Sequence, residues 1–338
     1  MNAALIDKIV NAVLYEGYIL YPYRASSVKN NQRWNFGVVY PRAYAEAQSG
    51  CDSWNMQTEC VVAGAPSTVL KGMVRFLRIT ERIIGAGPDA RPVEKLEVNG
   101  GLFQGWQEAS ECDVPFPGGR FEELNAAPAT RRFVLPAEQK IEYLPEAAGV
   151  IVRAQAALEG AVEVSAKELQ NHLFLIRVRI SNLTALDGQC PGNRECALPL
   201  SFASTHTALT VEDGEFISLL DPPAEFSEAV ARCRNIGTWP VLVGIEGQRN
   251  TMLSSPIILY DYPQIAPESP GDLFDGTEID EILTLRIMTM TDEEKHEMRG
   301  VDDRARRILE RTEDLPEEHF MKLHGVLRSL SPVKAGSE

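Results

Sequence analysis

No stretch of this sequence approaches the roughly 20 consecutive apolar residues that a membrane-spanning helix requires, so a helical span is not expected. Nor is a secretory leader expected. Asp7 and Lys8 interrupt the apolar residues behind Met1, where a leader would set a basic segment before an unbroken apolar run. A cytoplasmic location is therefore expected. Cysteine is sparse and scattered: the six positions, 51, 60, 112, 190, 196 and 233, contain no C-x-x-C pair of the kind that holds zinc or an iron–sulfur cluster. Cys190 and Cys196 bracket a Pro-Gly-Asn-Arg-Glu turn and could reach each other, but reduced, structural thiols are the expectation in a cytoplasmic chain. The sequence has no G-x-x-x-x-G-K-[ST] phosphate loop, no G-x-G-x-x-G after a strand and no G-x-S-x-G elbow, and no cofactor or metal is expected. Positive charge is also short. Lys and Arg number 33 against 48 Asp and Glu, and the net charge of −15 opposes a phosphate backbone, which argues against nucleic-acid binding.

What remains is ordinary globular material, 44% apolar and 24% charged, in a chain long enough for a sizeable core. Leu5, Ile6, Ile9, Val10 and Val13 recur at helical spacing and predict an amphipathic helix over 2–15, closed by Gly17. Residues 18–40 read as strands joined by a polar loop. Strand-like runs follow at Thr58–Val62, Val69–Ile79, Leu102–Glu108 and Val150–Ala156, with turns at Gly100-Gly101 and Gly118-Gly119. The clearest strand is Leu173–Leu183, where Phe174, Ile176, Val178 and Ile180 alternate with Leu175, Arg177, Arg179 and Ser181. Glu159-Gly160 predicts a hairpin between Val150–Leu158 and Ala161–Ala166, and Glu212-Asp213-Gly214 a turn between Phe202–Val211 and Phe216–Leu220. Trp239–Ile245 and Pro256–Tyr260 add two more strands.

Past Pro263 the character changes. Pro263, Pro267 and Pro270 predict an extended linker, followed by a short helix striped with Ile279, Ile282, Leu283 and Ile287. Thr291 and Glu294 form a capping box at the start of another helix, and 302–312 and 316–330 are helical in pattern. The fold class read from this is α+β: an antiparallel β-sandwich-like core with an N-terminal helix and a helical C-terminal extension. Three regions are expected: an N-terminal α+β region over 1–145, a β-sandwich-like domain over 146–262, and a proline-rich clasp with C-terminal helices over 263–338.

Two stretches carry a resemblance. The first is Tyr15-Glu-Gly-Tyr-Ile-Leu-Tyr-Pro-Tyr-Arg24 with Gln32-Arg-Trp-Asn-Phe-Gly37; the second runs from Ser254-Ser-Pro-Ile-Ile-Leu-Tyr-Asp-Tyr-Pro263 through Asp272-Leu-Phe-Asp-Gly-Thr-Glu278 to Arg286. Both resemble an uncharacterised family encoded beside uptake nickel–iron hydrogenases of the actinobacterial type. The resemblance implies a neighbourhood, with a hydrogenase subunit or maturation factor as the partner, and no reaction or catalytic residue. The chain lacks the paired C-x-x-C motifs of the hydrogenase catalytic subunit itself.

Two charged segments stand out beside it. Between Glu16 and Glu46 there is no acid, while Arg24, Lys29, Arg33 and Arg42 are interleaved with Tyr21, Tyr23, Trp34 and Tyr40. Arginine among aromatics suits a partner surface, although the same residues can fill a core and pair with the protein's own acids. Conversely Asp261, Glu268, Asp272, Asp275, Glu278, Asp280 and Glu281 precede any base before Arg286. Such carboxylates cap a helix, dock against the basic segment within the chain or across a homo-oligomer, or hold a hard cation. Tyr21, Arg24, Lys29, Arg33, Trp34, Arg42, Asp261, Glu268, Asp272 and Asp275 are the candidate partner-binding residues. His206, in Ser204-Thr-His-Thr207 with Asp213 nearby in sequence, is expected to be a hydrogen-bonded structural histidine. The reading that follows is a non-enzymatic accessory or assembly protein associated with a nickel–iron hydrogenase. Its rivals are a metal-dependent hydrolase using the 261–281 carboxylates with His206, and a self-assembling structural protein.

Overall fold

From Asn55 to Ala86 the chain is one strand of 32 residues, and the rest of the sheet is assembled on it. Its Val, Ile, Thr and Phe content suits a pleated, two-sided surface. The computed structural model describes residues 9–11, 13–14, 34, 36–170, 172–186, 192–264, 287–300 and 303–314. After β1 (Asn55–Ala86) come β2 (Arg91–Val93), β3 (Lys95–Val98), β4 (Gly101–Gln104), β5 (Trp106–Arg120), β6 (Ala129–Leu135) and β7 (Glu138–Tyr143). The series continues with β8 (Gly149–Gln155), β9 (Leu158–Gln170), β10 (Leu173–Asn182), β11 (Ala203–Phe216), β12 (Trp239–Leu242) and β13 (Thr251–Ser255). Helices α1 (Arg42–Ala47), α2 (Phe121–Ala126), α3 (Asp292–Arg299) and α4 (Asp303–Glu313) lie outside the sheet.

All pairings between these thirteen strands are antiparallel. Along one edge β1 meets β10 at 55–63, β5 at 69–82 and β2 at 84–86. Along the other it meets β11 between 62 and 77 and β8 at 81–86. Beyond these lie β9 and β6, β13 and β12, and β7. The sheet therefore crosses residue 145, since β1 on one side of it pairs with β8, β10 and β11 on the other. It closes over a core in which Phe76 of β1 meets Phe202 at 4.7 Å and Phe133 of β6 at 6.2 Å, while Phe121 of α2 lies 4.9 Å from Phe174. On the opposite face of β1, Leu77 and Ile79 are covered by Leu14, Trp34, Tyr40 and Tyr44. Helical residues Ile9, Val10 and Val13 pack on Val241, Val243 and Leu253. The α+β, sandwich-like class is as expected, and so is the capping box of α3, with Thr291 and Glu294 exchanging side-chain and backbone hydrogen bonds of 3.2 and 3.0 Å.

Several turns expected from glycine are absent, for a common reason. Gly160 lies inside β9, and β8 and β9 pair with other strands instead of forming a hairpin. A Cβ there would sit 2.3 Å from the Phe133 ring and 2.8 Å from that of Phe202, so the missing side chain makes room for two core aromatics. Gly118 lies inside β5 at a register shift against β1, where a Cβ would meet the Leu70 carbonyl oxygen at 2.0 Å. Through 212–214 β11 continues unbroken to Phe216. Residues 256–260 form no strand; the strand there is β13, five residues earlier in its start. Asn99 and Gly100, both at positive φ, do make the β3–β4 hairpin turn. The outer face of β10 is less wet than its alternation predicts, because Leu175 is covered by Phe226, Val230 and Cys233. Of the helix expected over 2–15, residues 2–8, 12 and 15 lie outside the described residues, as do 18–33, residues 265–275 of the linker, Ile279, Ile282 and Leu283 of the stripe, and the helix at 316–330.

Filling the space at Gly160 tests this packing. Gly160→Ala is expected to cost roughly 1–3 kcal/mol through overpacking, whereas Gly50→Ala, with nothing within 4 Å of the new Cβ, shifts stability by less than about 0.5 kcal/mol. Urea unfolding of the two variants measures the difference.

Candidate functional site

In an antiparallel sheet, residues directly opposite one another and residues two apart share a face. Applied to β5, β1, β8 and β7, this rule gathers much of the protein's charge on one surface. Arg82 is opposite Arg153, and Arg153 is opposite Lys140. One row along, Thr80 is opposite Glu108, and Gln155 is opposite Glu138. A third row sets Arg78 opposite Ser110. The result is a trough of about 270 Å³ between the four strands. Two residues past Arg82 and Arg153, Ile84 and Ile151 pack with Val98 and Leu144.

The two buried guanidiniums of β1 beside the trough draw on backbone carbonyls, while the Nε of each is buried without a hydrogen-bond partner. Arg78, 3% exposed, donates through Nη2 to the carbonyl oxygens of Pro136 and, at 2.7 Å, Ala156. Its Nη1 lies 3.5 Å from Glu138. Arg82, 7% exposed, donates to the Gly300 carbonyl at 3.1 Å and to Glu108 at 3.4 Å. Gln104 adds a bond of 3.1 Å to the Glu297 carbonyl, so the end of α3 is pinned to the trough by two side chains. Arg153 bridges Glu108 and Glu142, each at 2.8 Å. Burial pushes its guanidinium pKa down, and the bonds to Glu142 and Glu108 outweigh that, so Arg153 holds its proton more firmly than usual. Gln155 donates its amide to Thr80 Oγ1 and Ser110 Oγ, 2.7 Å each. The trough can hold an ion or polar group against fixed charges; its residues supply no nucleophile–base pair.

The reverse face of the same strands is apolar. Ile83 and Ile141 flank Val152 in register, and Tyr143 follows two residues on. Ile83, Ile141 and Tyr143 are exposed, Tyr143 by 79%. Every residue of β7 is exposed, and its only partner strand among the described residues is β8.

Three of the ten residues expected from sequence, Trp34, Arg42 and Asp261, are among the described residues. Tyr21, Arg24, Lys29, Arg33, Glu268, Asp272 and Asp275 fall outside the described residues, as do Tyr23, Glu278, Asp280 and Glu281. Trp34 is 5% exposed at positive φ, and its carbonyl accepts from Arg194 at 3.0 Å. Arg42 pairs with Glu46 at 2.7 Å and lies 4.9 Å over the Trp54 ring. Asp261 accepts from Ser218 Oγ at 2.5 Å and from the Leu242 amide at 2.8 Å, fastening its loop to β12. Structure thus places Trp34, Arg42 and Asp261 in local contacts and none of them in the trough. Among the described residues no three His, Cys, Asp or Glu side chains cluster as metal ligands would. The trough itself had a signal in sequence, the Arg78-Ile-Thr80-Glu-Arg82 alternation of polar residues inside an apolar strand.

His206 is fully buried opposite Arg75, with Nδ1 2.7 Å from the Ser204 carbonyl oxygen. Burial pushes its pKa down to about 4, with the Arg75 charge adding to the effect and the Ser204 bond opposing it. The folded ring refuses a proton that the unfolded ring accepts below about pH 6.5. Stability therefore falls as pH drops from about 6.5 to about 4, by on the order of 3 kcal/mol for this group. His206→Gln is expected to flatten the pH dependence of the unfolding midpoint across that window. Neither a protein-family model nor a curated protein matches the chain, so the chemistry of the trough is read from its own side chains.

Proposed function

We propose that the protein is a non-enzymatic accessory or assembly protein of the cytoplasm that works beside a nickel–iron hydrogenase, holding a hydrogenase subunit or maturation factor by protein–protein contact. The observation that carries this reading is the apolar stripe of exposed Ile83, Ile141 and Tyr143 with half-buried Val152, which runs across three strands to β7, a strand with no partner beyond β8 among the described residues. The outward N–H and C=O groups of an edge strand are a template for another strand. An extended segment of the partner adds to β7 by backbone hydrogen bonds, and its alternate apolar side chains settle beside Ile141 and Tyr143. The hydrogenase context comes from the resemblance of the Tyr15–Gly37 and Ser254–Arg286 stretches. Within the hydrolase alternative, Asp261 is engaged by Ser218 and Leu242 and His206 is sealed in the core, which favours contact over hydrolysis.

The test is co-purification from cells making the hydrogenase at native level. A hydrogenase subunit or maturation factor should accompany the parent protein, and Ile141→Asp with Tyr143→Ser should weaken capture about tenfold or more, equivalent to about 1.4 kcal/mol, with no change in unfolding midpoint. Light scattering on the same pair of proteins separates out self-association, in which the parent alone would be a dimer. Capture of neither hydrogenase component, with normal hydrogen uptake in a deletion strain, sinks the proposal.

A further inference from the structure

The ladder between β7 and β8 fixes which backbone groups of β7 face outward. The Leu144 N–H donates to the Gly149 carbonyl oxygen at 2.9 Å, continuing the register that sets Glu142 opposite Ile151 and Lys140 opposite Arg153. Bonded and non-bonded pairs alternate along an antiparallel ladder. Glu138, Lys140 and Glu142 therefore aim their backbone groups at β8, and Gln139, Ile141 and Tyr143 present theirs to the outer edge. The side chains divide in the same way, with Lys140 and Glu142 on the charged face and Gln139, Ile141 and Tyr143 on the apolar one. All six residues of the strand are exposed.

An antiparallel newcomer must set its own outward-facing residues against 139, 141 and 143. A second copy of β7 can do so in few registers, and charge chooses among them. Centred on Lys140, the pairing sets Lys140 against Lys140 and Glu138 against Glu142. Centred on Glu142, it sets Glu142 against itself. Like charges directly opposite are destabilising. Centred on Gln139, it joins Glu138 to Lys140 but leaves Ile141 and Tyr143 beyond the paired residues. Centred on Ile141, it sets Lys140 of each copy opposite Glu142 of the other, Ile141 opposite Ile141 and Gln139 opposite Tyr143. Every outward N–H and C=O at 139, 141 and 143 then has a backbone partner. The two side chains are ready for this pairing. Lys140 has no carboxylate partner among the described residues, and Glu142 spends Oε2 on Arg153 at 2.8 Å, which leaves Oε1 for a second cation.

We propose that two copies of the chain join edge to edge through β7, antiparallel about a two-fold axis at Ile141, with Lys140 of each opposite Glu142 of the other. Ile83, Val152 and Ile141 of both copies form one apolar band on the reverse face. Each copy offers one β7 and the axis uses it, so assembly closes at two. The dimer rests on the reading of β7 as an open edge under the proposed function. That edge takes one strand at a time, so the second copy holds it in the free protein and a hydrogenase segment displaces it.

The experiment is light scattering on the purified full chain over a dilution series, with no hydrogenase component present. Salt is set at about 0.15 M, where screening over about 8 Å mutes repulsion between two chains of net charge −15. The parent should be a dimer, and amide exchange at Gln139, Ile141 and Tyr143 should slow as concentration rises. Lys140→Glu sets two carboxylates face to face across the axis, and Glu142→Lys sets two ammonium groups; each should weaken the dimer about tenfold or more. Mixed one to one, the two variants should dimerise as the parent does, and so should the double variant carrying both changes. A monomeric parent, single variants that dimerise as tightly as the parent, or a mixture and a double variant that both stay monomeric overturn the assignment. Capture of a hydrogenase component without a dimer sinks the dimer alone, and a dimer without capture sinks the hydrogenase reading alone.

Discussion

A guanidinium keeps its charge at any pH a cell meets, and the two that β1 buries oblige the surrounding chain to bring oxygen to them. Arg78 collects the carbonyls of Pro136 and Ala156, which lie in the links between β6 and β7 and between β8 and β9. Arg82 collects Glu108 from β5 and Gly300 from the link between α3 and α4. These contacts set where β7 and β8 run and where the C-terminal helices end against the sheet. Removing Arg78 would take that donor from the Pro136 and Ala156 carbonyls, and removing Arg82 would take it from the Gly300 carbonyl while Glu108 kept Arg153; a buried acceptor left without its donor costs more than the contact itself.

The same four strands present two unlike surfaces because a pleat sends alternate residues to opposite sides. On β7, Lys140 goes to the charged side, while Ile141 and Tyr143 go to the apolar one and Glu142 returns to bond Arg153. The edge strand is thereby shared by a polar concavity and an uncovered hydrophobic stripe. Its lysine is also a device that protects sheet edges from indiscriminate pairing, which restricts what can add to β7 to segments that tolerate a cation beside them.

Much of the fold was legible where one side chain pattern decides the outcome. Phe174, Ile176, Val178 and Ile180 alternate and do enter the core; Thr291 and Glu294 sit three apart and do cap a helix. Glycine misled because it has two physical uses. At Gly100 it allows a left-handed turn, and at Gly118 and Gly160 it admits a neighbour's backbone or ring, and sequence alone does not separate these. The runs expected separately at Thr58–Val62 and Val69–Ile79 belong to one strand, which tolerates Pro66 between them because its ladder with β11 lapses from Gly64 to Val69. The trough was hidden for another reason. Arg78 and Arg82 come from β1, Glu108 from β5, Glu138 from β7 and Arg153 from β8, and the polar alternation within β1 does not announce which residues of the other strands stand opposite.

The length and position of β1 also govern how the protein comes into being. Its first nine paired residues wait for 173–181, and its middle waits for 203–216, which leave the ribosome long after it does. Contacts this distant in sequence are slow to close. Until then β5 can pair with 69–82, but 55–63 and the whole edge that β11 will take stay unpaired, beside buried Val61, Val62, Leu70, Val74 and Phe76, the kind of segment that chaperones hold and that aggregates when they do not. Synthesis delivers the spine first and its ribs last, so yield of the folded protein depends on protection during translation as much as on final stability.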